Sequence, residues 1–234
     1  MKFNLPKIKI PWNRKFIIAF SLMTFLCIQA HEFGHQLIAT ILCETPGYMT
    51  FAYANIGGEC SPIDEVLELA AGPLVTYSLT WFGVFLLLKH RKYALLGCSL
   101  IFANTVLDRI IFGTLIGDER NIGEFIGHPF VVLFVVILLV LPPLLIAYKS
   151  IKNKRKLLVF LSFLIIPILA TGFIIIMPDT FFLFNPLMEN ESTFPIPLVF
   201  GIPIIVIIVD VIVLALFFGK YVQFLLPNKK DVKE

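Results

Sequence analysis

Two histidines four residues apart, His31 and His35, stand with Glu32 in the sequence His31-Glu32-Phe33-Gly34-His35 inside an apolar stretch. Positions four apart on a helix share a face, so both imidazoles can hold one metal ion. Neutral imidazole nitrogens suit zinc. Glu32 lies beside that face, where it can reach a metal-bound water and act as a general base without being a ligand. Each ionisable residue costs ~2.5–3.5 kcal/mol in the middle of a membrane helix, so such a cluster there calls for a chemical reason. The bland alternative is a polar cluster that hydrogen-bonds neighbouring helices.

The elements that must carry these residues follow from composition. The chain is 58% hydrophobic and 15% charged, with a mean hydropathy of +0.91. That lies outside the usual soluble range and points to a polytopic membrane protein. Six apolar spans fall at 16–43, 66–88, 94–116, 130–148, 157–177 and 197–219. Their lengths are close to the ~17–25 residues a spanning helix needs, the first being longer. His31 is about fifteen residues from either end of its span, roughly 20 Å from each surface at ~1.5 Å per residue. Between the first two spans, Gly47 to Glu59 alternates Tyr, Thr and Phe with smaller residues and ends in Gly57-Gly58. This reads as a short strand or hairpin followed by a turn. Its functional reading is an edge strand that holds a peptide in extended form. The expected fold class is an all-α polytopic membrane protein of about six transmembrane helices, with a short β-like hairpin after the first.

Charge orients the bundle. Lys and Arg cluster before the first span and after the second, fourth and sixth, whereas the connections near 44–65, 117–129 and 178–196 carry mostly Asp and Glu. Six helices with both termini in the cytoplasm satisfy the positive-inside rule at every loop. The basic clusters are short and flank spans, so nucleic acid is not an expected partner; the lipid bilayer is. The basic leader, apolar run and Ala30 resemble a secretory signal, but the apolar run resumes through Leu37-Ile38-Ala39, so no cleavage is expected. Cys27 and Cys98 read as small apolar residues, while Cys43 and Cys60 flank the first outer loop and could bridge. The chain divides into a basic tail (1–15) that lies along the membrane surface, a polar-motif core of three spans (16–128), a three-span supporting bundle (129–222) and a polar C-terminal tail (223–234).

The HEFGH motif in a membrane helix resembles the site-2 protease family of intramembrane zinc metalloproteases, whose motif is typically HExGH. Gly34 fits that form, a small residue that lets another helix or a substrate approach closely. A second likeness is Ala71-Gly72-Pro73 in the next span, similar to the turn beside the family's active site. The family often has Asn three residues after that Pro; Thr76 stands here. The resemblance implies a third metal ligand from an Asp downstream of an Asn, here Asn104. Two candidates follow. Asp118, after Gly117, is favoured because the glycine can bend the chain at the end of the third span and aim the carboxylate back. Asp108, in Leu107-Asp108-Arg109, is the alternative; sharing a helix face with Asn104, it could orient a ligand or substrate backbone without binding metal. The implied site has Glu32 as catalytic base, His31, His35 and Asp118 on Zn2+, and Asn104, Gly72 and Pro73 at the substrate. The implied substrate is a membrane protein with a transmembrane segment.

Arg109 could neutralise Asp108 or stabilise transition-state charge. Asp210, a lone acid in the sixth span, is expected to pair with Arg109 or another buried polar group. Glu68 is expected to be solvated and His128 to be a surface residue. Two readings from other classes stay open: a non-proteolytic homologue that binds membrane helices, and an ion or metal transporter built on His31, Glu32, Asp108 and Asp210.

Overall fold

A computed structural model describes residues 5–43, 47–55, 60–89, 91–189 and 196–226. It contains six helices long and apolar enough to cross a membrane: Arg14–Leu42, Pro62–Lys89, Ala94–Gly113, Pro129–Ser150, Lys156–Leu187 and Ile204–Leu225. The first starts at Asn13, whose side-chain oxygen accepts from the Phe16 amide at 2.9 Å and satisfies an otherwise orphaned donor. His31 falls eleven residues before Leu42 and seventeen after Arg14. At ~1.5 Å per residue it therefore lies about 5 Å from the helix midpoint, displaced toward the acidic-loop end.

The first three spans pack through small residues. A Cβ on Gly34 would lie 3.1 Å from the Ala71 carbonyl oxygen of the second span, and one on Gly83 would lie 2.8 Å from the Gly97 oxygen of the third. Backbones approach this closely only where side chains are minimal. At the other end, Phe20 and Phe102 pack on Phe163 of the fifth span, with ring centroids 4.7 and 5.1 Å apart.

The third span is broken. Its helix Ala94–Ala103 stops at Asn104, and Thr105 takes a left-handed φ of 47°, strained for a β-branched residue. The Asn104 amide Nδ2 donates to the Leu100 carbonyl at 2.7 Å, taking the acceptor that a continuing helix would use. Asn104 and Asp108, expected on one helix face, are therefore separated by the break. Wide π-type turns follow over Arg109–Gly113.

The expected hairpin forms as β1 (Tyr48–Met49) paired antiparallel with β2 (Ala54–Asn55); residues 56–59 lie outside the described residues. Cys43 and Cys60 bracket it as a disulfide. A second hairpin, β3 (Leu198–Val199) and β4 (Ile202–Pro203), leads into the sixth span. Its two-residue turn puts Phe200 and Gly201 at φ 51° and 77°, the mirror-image turn that matches strand twist. It docks on the first hairpin and the first span: the Met49 amide donates to the Gly201 oxygen at 3.3 Å, and Gln36 Nε2 to the Phe200 oxygen at 2.8 Å.

Candidate metal centre

The first and second spans cross where Gly34 meets Ala71, and this crossing sets the two imidazoles. His31 and His35 are both buried, one turn apart. His35 Nδ1 is 2.8 Å from the Glu68 carbonyl oxygen and 3.3 Å from the Glu68 carboxylate. His31 Nδ1 is 2.9 Å from Thr76 Oγ1. A carbonyl can only accept, so Nδ1 of His35 donates to it and Nε2 is left to face the interior of the site. The two Nε2 atoms face one another at 3.2 Å.

Gly72 is the floor beneath them. A Cβ there would collide with both imidazole rings. Glu68, Gly72 and Thr76 recur every four residues and so form one face of the second span. Glu68 is thus not solvated as expected: it is 4% exposed, because it closes over His35. Gly72 and Pro73, expected at the substrate, are buried in the helix, and Gly72 acts on the histidines directly.

The third donor comes from the turn after the third span. Gly117, in an extended conformation, caps the short helix Asp118–Phe125 and turns its first residue back into the bundle. Asp118 Oδ2 lies 3.2 Å from His31 Nε2 and 3.6 Å from His35 Nε2. The ligand atoms of His31, His35 and Asp118 all fall within 4.8 Å of one another. Asp108 does not join them. It sits on the Arg109 guanidinium at 3.4 Å, and Arg109 also reaches Asp118 at 3.0 Å and Glu119 at 3.6 Å. Tyr77 donates to the other Glu119 oxygen at 2.8 Å, so the clamp on Asp118 is itself anchored in the second span. Burial raises the Asp118 carboxyl, but the two imidazoles and the Arg109 charge outweigh it and hold the group well below the usual carboxylate range. Burial pushes the Glu119 carboxyl up, against Arg109 and Tyr77.

These donors fit a metal. Two imidazole Nε2 atoms and a carboxylate oxygen converge on one point, a donor set that can hold a metal ion. Two imidazoles and one carboxylate would leave a four-coordinate ion with one open position. The Nδ1 partners supply the outer hydrogen bonds that metal-binding histidines need.

The centre opens into a cavity of about 1050 Å³. Its polar side carries Glu32, Asp108 and Arg109; its apolar side is Ile168, Leu169, Phe173, Ile176 and Met177 of the fifth span; and Ala52 to Asn55, including β2, borders it. The fifth span, expected to belong to a supporting bundle, therefore contributes a wall. It is fastened to the hairpin by Asp179, a buried residue that sequence reading missed. The Asp179 carboxylate accepts from Thr50 Oγ1 at 2.6 Å and from the Phe51 and Ala52 amides at 3.1 and 3.0 Å. A smaller chamber of about 100 Å³ adjoins Glu32 and is lined by Asn104, Thr105 and Thr76. Asn104 Oδ1 is buried there without a hydrogen-bond partner among the described residues.

Asp210 departs from expectation. The ion pairs of Arg109 go to Asp108, Asp118 and Glu119, and Asp210 Oδ1 is buried with no hydrogen-bond partner among the described residues. His128 is exposed and Cys27 and Cys98 are buried thiols, as expected. Comparison of the chain with protein-family models, with curated proteins and with solved structures finds no match in any of the three.

Proposed function

We propose that this chain is a zinc-dependent intramembrane endopeptidase of the site-2 protease type, cutting peptide bonds in or near transmembrane segments of membrane proteins. The observation that carries the reading is the convergence of His31, His35 and Asp118 at the head of a cavity that Glu32 also lines. Zinc, when bound, polarises a carbonyl and makes water a usable nucleophile near neutral pH. His31, His35 and Asp118 would hold it, with Thr76, Glu68 and Arg109 fixing their directions. Glu32 accepts the proton of the attacking water and delivers it to the leaving amine nitrogen. Arg109, on the cavity wall, offers a guanidinium to the negative charge that develops on the carbonyl oxygen. A substrate helix is bonded internally and has to unwind before its carbonyl is accessible. The hairpin bordering the cavity suits the opened, extended segment. In this reading both termini are cytoplasmic, which places the cavity end toward the opposite side.

The test is made on purified full-length protein in liposomes holding a panel of single-span membrane peptides. We expect about one zinc per chain, cleavage lost on chelation and restored by zinc, and cleavage lowered by ~10²–10⁴ in Glu32→Gln, the range for removing a general base, with zinc content unchanged. Zinc bound without cleavage of any peptide would favour the helix-binding homologue. Ion flux in the same vesicles without cleavage would favour the transporter.

A further inference from the structure

At the end of the bundle away from the metal centre, the N-terminal tail is built into the fold. Residues 7–10 run beside residues 149–153 as a strap, with a parallel bridge between Ile8 and Ile151. The Ile8 amide donates to the Ser150 oxygen and the Lys152 amide to the Ile8 oxygen, both at 2.8 Å. Asn153 clasps Ile10 on both sides, accepting from its amide at 2.9 Å and donating to its carbonyl at 3.1 Å. Strand alternation turns Ile8 and Ile10 inward and leaves Lys7 and Lys9 exposed.

The strap thereby joins two cationic clusters that are distant in sequence: four lysines and arginines in residues 7–15 and five in residues 149–156, with no acidic residue in either segment. None of these nine forms an ion pair with a carboxylate among the described residues. Lys7 donates to the Lys149 carbonyl at 3.1 Å. Lys156 is itself fixed over the Tyr148 ring at 4.2 Å. Two cationic segments held side by side, with no counter-charge among the described residues, form a seat for an anion. The surroundings are those of a bilayer interface. Trp12 is 44% exposed while its ring packs at a tilt on Phe163, Lys15 lies over the Phe224 ring, and the first, fourth, fifth and sixth spans all begin or end here.

We propose that this face is a binding surface for anionic phospholipid headgroups, with Lys7 and Lys156 among the lysines that receive the lipid phosphate. A lipid is favoured over an acidic protein segment because the seat abuts the ends of four candidate spans, where the headgroup layer lies, and is flanked by interfacial aromatics.

The experiment titrates the full-length protein, in a zwitterionic detergent, with phosphatidylglycerol, phosphatidylcholine or inorganic phosphate, reading bound lipid by native mass spectrometry and the thermal midpoint in parallel. Phosphatidylglycerol should bind at least tenfold tighter than phosphatidylcholine. The double variant Lys7→Gln/Lys156→Gln should lose about tenfold in that affinity, while Lys89→Gln, at the end of the second span and outside the strap, should match the wild type. Asn153→Ala keeps every cation but unclasps the strap, and should weaken phosphatidylglycerol binding severalfold. Unchanged thermal midpoints in phosphatidylcholine certify that the variants fold. Equal binding of the two lipids, protection by free phosphate equal to that by phosphatidylglycerol, or wild-type lipid affinity in either variant overturns the proposal.

Discussion

The first three spans and the last three bury very different fractions of themselves. Between 44% and 50% of the apolar window of each early span lies inside the bundle, against 11% to 29% for the later three. The polar groups follow that division. The candidate ligands and the side chains that orient them, from His31 to Asp118, come from the first half of the chain. Polar side chains are costly in lipid, so they gather where helices cover each other. The later spans are free to be apolar nearly throughout, and their contribution to the site is a greasy wall fastened to the hairpin chiefly by the buried Asp179 carboxylate, with Thr180 and Phe184 on Tyr53 beside it. In the proposed function, the early half would supply the chemistry and the late half would limit what can reach it.

That contrast breaks first at the third ligand. Asp118→Ala should remove zinc from the purified protein and abolish cleavage, because two imidazoles alone make a weak site. Asp108→Ala, one residue from the same guanidinium, should retain about one zinc per chain by elemental analysis. Retention in Asp118→Ala with loss in Asp108→Ala would exchange the two roles. A step smaller, Gly72→Ala drives a methyl into both imidazole rings and should lower zinc affinity by more than tenfold in a chelator competition. Thr76→Val, which removes the hydroxyl beside His31 Nδ1 and keeps the shape, should lower it by ~10-fold, the lower end of what outer-shell partners contribute.

The early half was largely legible in the sequence. His31 and His35 announce themselves by helical spacing, and Gly117 marks the turn that returns Asp118. The orienting residues were legible too, had the second span been read for its own period: Glu68, Gly72 and Thr76 stand four apart and can only lie on one face. The break at Asn104 was not legible, because helix periodicity cannot signal an amide that turns back on its own carbonyl. Asp179 was hidden for a different reason. It follows Pro178 near the end of an apolar run, where an acid ordinarily meets solvent. Its partners, the Thr50 hydroxyl and two loop amides, lie more than a hundred residues away, and no local pattern connects them. The second hairpin escaped for lack of any pairing signal beyond Phe200-Gly201.

The smallest effects sharpen the contrast from the other side. Asp179→Ala leaves two loop amides and a hydroxyl without their acceptor, at a cost of ~1–3 kcal/mol for a buried set of this kind. Its thermal midpoint should fall and its cleavage should drop, while zinc content stays at the wild-type level, since no ligand or orienting residue is touched. Ile212→Ala, on the sixth span at 52% exposure, should change neither the midpoint nor the zinc content measurably. The pair separates two ways the late spans could matter. If they act only as apolar mass, Asp179→Ala and Ile212→Ala should be alike in cleavage. If the fifth span matters through its attachment to the hairpin, only the loss of Asp179 should reach the cavity, because that carboxylate ties the wall carrying Phe173 and Met177 to the segment where an unwound substrate would lie.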